Sequence, residues 1–139
     1  MAAQPVPGDV VPFLRYADPF AAVKWLGQVL GFAPILMVEG ENASLAHAEL
    51  RLGSSAIMLG GVKKDHLGMV TPRAAGGVTQ GIYLVVPDAD VVWKRAVAAG
   101  AEVVMELYDT PYGSREFAVR DPEGHLWSVG TYRAGSWEG

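Results

Sequence analysis

The strongest constraint on what this chain can fold into is that it is built twice. Gly31 and Gly100 close two helical stretches and lie 69 residues apart. Ala46-His-Ala-Glu-Leu-Arg51 aligns with Arg115-Glu-Phe-Ala-Val-Arg120 at the same 69, and Ile57-Met-Leu-Gly60 aligns with Trp127-Ser-Val-Gly130 at 70, after one extra residue in the turn Asp121-Pro-Glu-Gly124. Identity between the halves is low, but element order and both glycines coincide. A repeated unit of this size leaves an apolar face that only its neighbour, or a second chain, covers.

Each copy reads as βαβββ. In the first, Val10 to Tyr16 forms a strand, with Pro12 tolerated near its start. Asp18 caps a helix that has Pro19 at its first position, presents Phe20, Val23, Leu26 and Leu30 to one side, and stops at Gly31. Strands follow over 34–38, 45–52 and 56–59, separated by turns at 40–43 and 53–55. In the second, a strand over 81–86 leads to a helix capped by Asp88 or Asp90, running through Val91, Val92, Ala96 and Val97 to Gly100. A strand over 102–107 follows. The last hairpin is the clearest: Glu116, Ala118 and Arg120 alternate with Phe117 and Val119, the period of a half-buried strand, before the Asp-Pro-Glu-Gly turn and the apolar Leu126, Trp127 and Val129. The expected organisation is a tail over 1–9, a module over 10–60, a Gly-rich linker over 61–79, a second module over 80–132 and a tail over 133–139. The linker is long for a compact domain, as functional loops often are.

Composition removes several function classes. With 139 residues, 50% apolar and 19% charged, a real core is available. The net charge of −4, with no basic run, offers no footprint for nucleic acid. The absence of cysteine excludes disulfides, thiolate zinc sites and cysteine nucleophiles. No apolar run approaches the roughly 20 residues needed to span a bilayer. The first residues lack the basic and apolar regions of a signal peptide, so a cytoplasmic protein is expected.

Three phrases, Ala21-Ala-Val-Lys-Trp-Leu-Gly-Gln-Val-Leu-Gly-Phe32, Ala96-Val-Ala-Ala-Gly-Ala-Glu102 and Arg120-Asp-Pro-Glu-Gly-His-Leu-Trp127, together with the repeat, resemble the vicinal oxygen chelate superfamily. That group includes glyoxalase I, extradiol dioxygenases, fosfomycin-modifying enzymes and bleomycin-binding resistance proteins. The resemblance covers about residues 10–132. It implies an α+β fold in which two tandem βαβββ modules form a curved eight-stranded sheet around a cleft, with helices on the outer face, often completed by a homodimer. It does not imply one reaction, because function lives in the site and not in the fold.

The resemblance also implies where a divalent metal would sit: on His or Gln in the first strand and Glu in the last strand of each module. The matching positions hold Val11, Met58 or Leu59, Gly81 and Ser128. None is a good ligand for a borderline or hard cation. No metal and no cofactor is therefore expected. The three histidines show no metal-ligand spacing. His47 lies on a strand face with Glu49 and Arg51, His66 in the linker, and His125 after the turn, where its ring is expected to fix the turn or a strand end.

By alternation, Ala48, Leu50, Phe117, Val119, Trp127 and Val129 face the helices. The opposite face carries Phe13, Arg15, His47, Glu49, Tyr83, Glu116, Ala118 and Ser128. Met58 adds an adaptable wall, as do Met37, Met69 and Met105 unless they fill the core. Tyr108 and Tyr112 flank Asp109-Thr-Pro111 at the rim, and Trp137 sits in the tail. Apolar walls with a few placed polar groups are the composition of a small-molecule pocket. Its charges, Arg15, Glu49 and Glu116, either pair with each other or meet ligand charge. The expected ligand-binding set is Phe13, Arg15, His47, Glu49, Met58, Tyr83, Tyr108, Tyr112, Glu116 and Ser128. The expected function is sequestration of a hydrophobic or aromatic molecule, an antibiotic in the most concrete case, by a homodimer. The alternatives are a metal-independent isomerase or lyase using His47 with Glu49 or Glu116, and a divalent-metal glyoxalase-like enzyme.

Overall fold

The structure is a computed structural model and describes residues 3–5 and 7–136. Trp137 and part of the expected N-terminal tail lie outside the described residues. The element order is β1 (Phe13–Tyr16), α1 (Pro19–Trp25), a π-helical turn (Leu26–Leu30), β2 (Ala33–Glu39), β3 (Leu45–Leu52), β4 (Ser55–Gly61), α2 (Pro72–Ala75), β5 (Gly81–Val85), α3 (Ala89–Ala98), β6 (Glu102–Asp109), β7 (Arg115–Arg120) and β8 (Leu126–Gly130). The strands form two four-stranded sheets, ordered β1-β4-β3-β2 and β5-β8-β7-β6. In each, the first strand is parallel to the last and the other pairs are antiparallel. This is the tandem βαβββ α+β fold, with its eight strands divided between two sheets.

The helix-facing strand residues are core, as alternation predicts. Ala48, Leu50, Phe117, Val119, Trp127 and Val129 are all buried, and the core joins both modules. Several contacts tie the modules together. The Tyr16 hydroxyl donates to Asp121 Oδ2 at 2.6 Å. Arg95 Nε donates to the Val29 carbonyl at 2.9 Å, satisfying an acceptor at the end of the first helix. The Phe32 and Trp127 rings meet edge-on at 5.8 Å. Glu123 accepts from the backbone N–H groups of Ala17 and Asp18 at the start of α1, where the helix dipole favours a carboxylate.

Several local expectations are corrected. β1 begins at Phe13, not Val10, because Pro12 has no N–H to give to the parallel ladder. Val10 is 88% exposed. The buried stripe of the first helix runs through Pro19, Ala22, Val23 and Leu26, which leaves Phe20 exposed. The helix does end at Gly31, with φ 87°, but its last turn is π-helical. In α3 the buried residues are Ala89, Val92 and Ala96, while Val91 and Val97 face out. Met37 and Met105 are exposed and do not fill the core. The linker contains one helical turn, capped by Thr71, whose Oγ1 accepts from the Ala74 N–H.

The edge strands leave apolar side chains uncovered. Ile35, Leu36, Met37 and Val38 on β2, and Val103, Val104 and Met105 on β6, are exposed. So are Phe13, Tyr83 and Val85.

Candidate functional site

In the second module the alternation of β7 sends Phe117 and Val119 into the core and turns Glu116 the other way. Three tyrosines reach its carboxylate. Tyr83 on β5 donates to Glu116 Oε2 at 2.7 Å. Tyr112, in the loop after β6, donates to Oε1 at 3.0 Å. Tyr108, opposite Glu116 in the β6–β7 register, lies at 3.5 Å from the same oxygen. The loop carrying Tyr112 is closed by Thr110, which donates its N–H to the Ser114 carbonyl and accepts the Ser114 N–H on Oγ1. Tyr83 is fixed from behind: its hydroxyl accepts the N–H of Tyr132 at 3.2 Å while donating to Glu116. Gly130 faces Glu116 across the β7–β8 ladder, and a Cβ there would fall on the Tyr83 hydroxyl and Glu116 Cγ. The absence of a side chain at 130 makes room for the cluster.

The electrostatics follow from these contacts. Burial alone would push the Glu116 carboxyl up, but the hydroxyls of Tyr83, Ser114, Tyr112 and Tyr108 outweigh it and hold the group below the usual carboxylate range. Tyr83 is pushed above the usual phenol range by burial, with Glu116 adding to the effect. Tyr112 is raised chiefly by its hydrogen bond to the same carboxylate. Glu116 therefore stays ionised, and Tyr83 and Tyr112 stay neutral donors. They floor and wall a depression of about 570 Å³ lined by Tyr83, Val85, Tyr112, Glu116, Tyr132 and Ala134.

The equivalent face of the first module is built differently. His47 Nε2 and Glu49 Oε2 lie 2.8 Å apart, both about one-third exposed. Arg15 Nη2 pairs with Asp65 of the linker at 3.1 Å, and Arg15 Nη1 is buried without a partner among the described residues. A hollow of about 350 Å³ here is lined by Phe13, Arg15, His47, Met58 and Lys63, among others. A further hollow, about 480 Å³, has Phe13 on one side and Tyr83 on the other, so the two faces adjoin along β1 and β5.

The expected binding residues thus fall into two groups. Phe13, Arg15, His47 and Met58 line the first-module hollow, with Glu49 held to His47. Tyr83, Tyr112 and Glu116 line the second, with Tyr108 in reach of Glu116. Ser128 pairs in register with Tyr83 and Ala118 and lines neither hollow. Arg15, Glu49 and Glu116 do not pair with one another: each has a different partner. Sequence reasoning missed Tyr132, Ser114 and Asp65. Tyr132 sits two residues past the end of β8, where its proximity to the strand was the one available signal.

The three histidines part company. His47 meets Glu49, and His66 is exposed in the linker. His125 bonds through Nε2 to the Arg15 carbonyl at 3.1 Å, and its ring packs 4.8 Å from that of Tyr16. Among the described residues no three His, Asp or Glu side chains converge as a metal would require. In the ladder, Phe13 faces Met58 and Tyr83 faces Ser128. Thioether, phenol and hydroxyl around apolar rings do not make a donor set for a borderline or hard cation, so the residues do not fit the metal that the enzymes of this fold use.

Paired βαβββ modules, the second carrying a tyrosine-walled carboxylate, define a member of the two-module βαβββ class. A sequence model of the Glyoxalase/Bleomycin resistance protein/Dioxygenase superfamily matches residues 9–129, and the chain belongs to that superfamily. It is 35% identical over 121 residues to the uncharacterized protein Mb0911c of Mycobacterium bovis, covering 86% of this chain and 80% of the relative. The uncharacterized protein Rv0887c of Mycobacterium tuberculosis matches at the same identity, with 71% of its length covered. Among solved structures, TioX from Micromonospora sp. ML1 superposes with a TM-score of 0.72 at 32% identity, covering 94% of this chain and all of TioX. Lactoylglutathione lyase from Agrobacterium tumefaciens superposes at 0.66 with 20% identity, covering 96% and 100%, a likeness of fold alone.

Proposed function

We propose that the protein binds and sequesters a hydrophobic or aromatic small molecule, an antibiotic in the most concrete case, and acts in the cytoplasm. The observation that carries this reading is the tyrosine-walled depression of the second module. Aromatic rings over an apolar hollow, with one fixed polar group, are suited to holding a planar ligand. The superfamily's own description includes bleomycin resistance proteins. A homodimer is part of the proposal, because a second chain over β2 and β6 would cover their exposed apolar side chains. No helix among the described residues is long and apolar enough to cross a membrane.

The test is titration with planar aromatic antibiotics, following intrinsic tryptophan fluorescence, with the ligand recovered after long incubation. Saturable binding with unchanged ligand is the expected result; turnover of the ligand overturns it. Sedimentation at micromolar concentration reads the dimer. One observation favours a second reading. The His47–Glu49 contact of 2.8 Å is the geometry of an acid–base pair, as in a metal-independent isomerase or lyase. An activity that survives His47→Ala removes that reading.

A further inference from the structure

The Glu116 carboxylate presents an unbalanced charge. It is 8% exposed and held ionised. Every partner it has is neutral: the hydroxyls of Tyr83, Tyr112 and Tyr108, with that of Ser114 beside them. Among the described residues no Lys, Arg or His forms an ion pair with it. Nearby Arg115, whose side chain leaves β7 on the other side, is already engaged by Asp90 and Asp109. Hydroxyl donors stabilise a carboxylate but do not neutralise it. The hydrogen-bonded carboxylate keeps its negative charge, which a cationic ligand group can meet.

The surroundings describe that counter-charge. The Tyr112 and Tyr132 rings stand edge to face, with centroids 5.5 Å apart and planes at 76°, so they form two walls of a corner. Tyr83 closes a third side, and its hydroxyl is held by Glu116 and the Tyr132 N–H rather than pointing into the hollow. Ring faces attract cations through their quadrupole, most strongly where water is excluded, and an aromatic corner with a carboxylate at its base is suited to a substituted ammonium. An anionic ligand group would meet Glu116 unfavourably. A purely neutral one would gain nothing from the charge of the carboxylate.

From this we infer that the ligand carries a permanent or protonated amine, seated between Tyr83, Tyr112 and Tyr132 and facing Glu116. This rests on the small-molecule-binding reading above and names the chemical class of its ligand. The cation supplies charge, the rings supply contact area, and the three phenols orient the carboxylate.

The test uses three matched probes in calorimetric titration of the full chain: (naphthalen-2-ylmethyl)trimethylammonium, its uncharged tert-butyl isostere, and 2-naphthylacetate. The cation is expected to bind about tenfold or more tighter than the neutral isostere, and the anion weakest. Glu116→Gln, which keeps the shape of the side chain, should erase the preference for the cation. Tyr132→Leu, at a half-exposed position, should reduce it several-fold while the neutral probe still binds. Equal or tighter binding of the neutral isostere, or a preference that survives in Glu116→Gln, overturns the inference while leaving the binding reading intact. Failure of all three probes to bind at millimolar concentration overturns both.

Discussion

The two modules share element order, ladder register and offset, yet their equivalent faces are chemically opposite in organisation. Phe13 and Met58 in the first correspond to Tyr83 and Ser128 in the second. His47, which is about one-third exposed and paired with its neighbour Glu49, corresponds to Glu116, which is buried under three phenols. The first face pairs its charges, His47 with Glu49 and Arg15 with Asp65, leaving Arg15 Nη1 without a partner among the described residues. The second concentrates one charge and surrounds it with neutral donors. The difference shows how duplication separates scaffold from site. The core positions on the far side, Leu50 and Val119 among them, stay buried and apolar in both copies, while the face they do not touch is free to diverge.

That contrast can be broken at several places. The largest effect is expected at a residue both modules need. Asp121 is buried and accepts from Tyr16, Trp127 Nε1 and the N–H groups of Glu123 and His125. Asp121→Ala leaves buried donors unsatisfied and should lower stability by about 3 kcal/mol or more, read as a fall in Tm of roughly 10 °C.

Next come the equivalent glycines. A Cβ at Gly60 would collide with the Ala46 carbonyl, a backbone atom, whereas one at Gly130 would strike the Tyr83 hydroxyl and Glu116. Gly60→Ala and Gly130→Ala should each lower stability by about 1–3 kcal/mol in denaturant melts. Only Gly130→Ala should also abolish ligand binding. Equal binding losses in both would dissolve the distinction between scaffold and site.

The pH dependence of Glu116 is a smaller effect with a definite sign. Its folded-state titration lies below its unfolded value, so its contribution to stability is present above a pH of about 4.3 and is lost as pH falls through the folded-state value. Glu116→Gln should therefore be less stable than the parent protein at neutral pH, with the gap closing in acid thermal melts. A gap that widens on acidification contradicts the assignment. The smallest effect belongs to His47→Ala. Its pair with Glu49 is solvent-accessible, so stability should change by no more than about 0.5 kcal/mol and ligand binding should not change.

Much of this is legible in the sequence. Period-2 alternation placed Phe117 and Val119 inward and Glu116 outward, and turn chemistry located the last hairpin. The same alternation put Tyr83 on the face of Glu116, and the loop after β6 put Tyr108 and Tyr112 nearby. What stayed hidden has physical reasons. The π-helical turn over Leu26–Leu30 depends on one hydrogen-bond register that leaves no compositional trace. The Arg15–Asp65 pair joins residues 50 apart through a linker without periodicity. Tyr132 lies past the last strand, and it enters the site through its backbone N–H, which any residue but proline supplies, and through its ring, which no periodicity marks. The stripe of the first helix shifted from Phe20 to Pro19 because packing, not residue size, chose the buried side.

The turn at 121–124 has a consequence for how the chain is made. Tyr16 finds its acceptor 105 residues later, and the N–H groups of Ala17 and Asp18 wait for Glu123. During synthesis the first module leaves the ribosome with its helix start uncapped by that carboxylate and its buried phenol without a partner. It completes its bonding only when the last turn of the second module has emerged. A protein whose two halves look self-sufficient in outline is therefore committed to finishing as one.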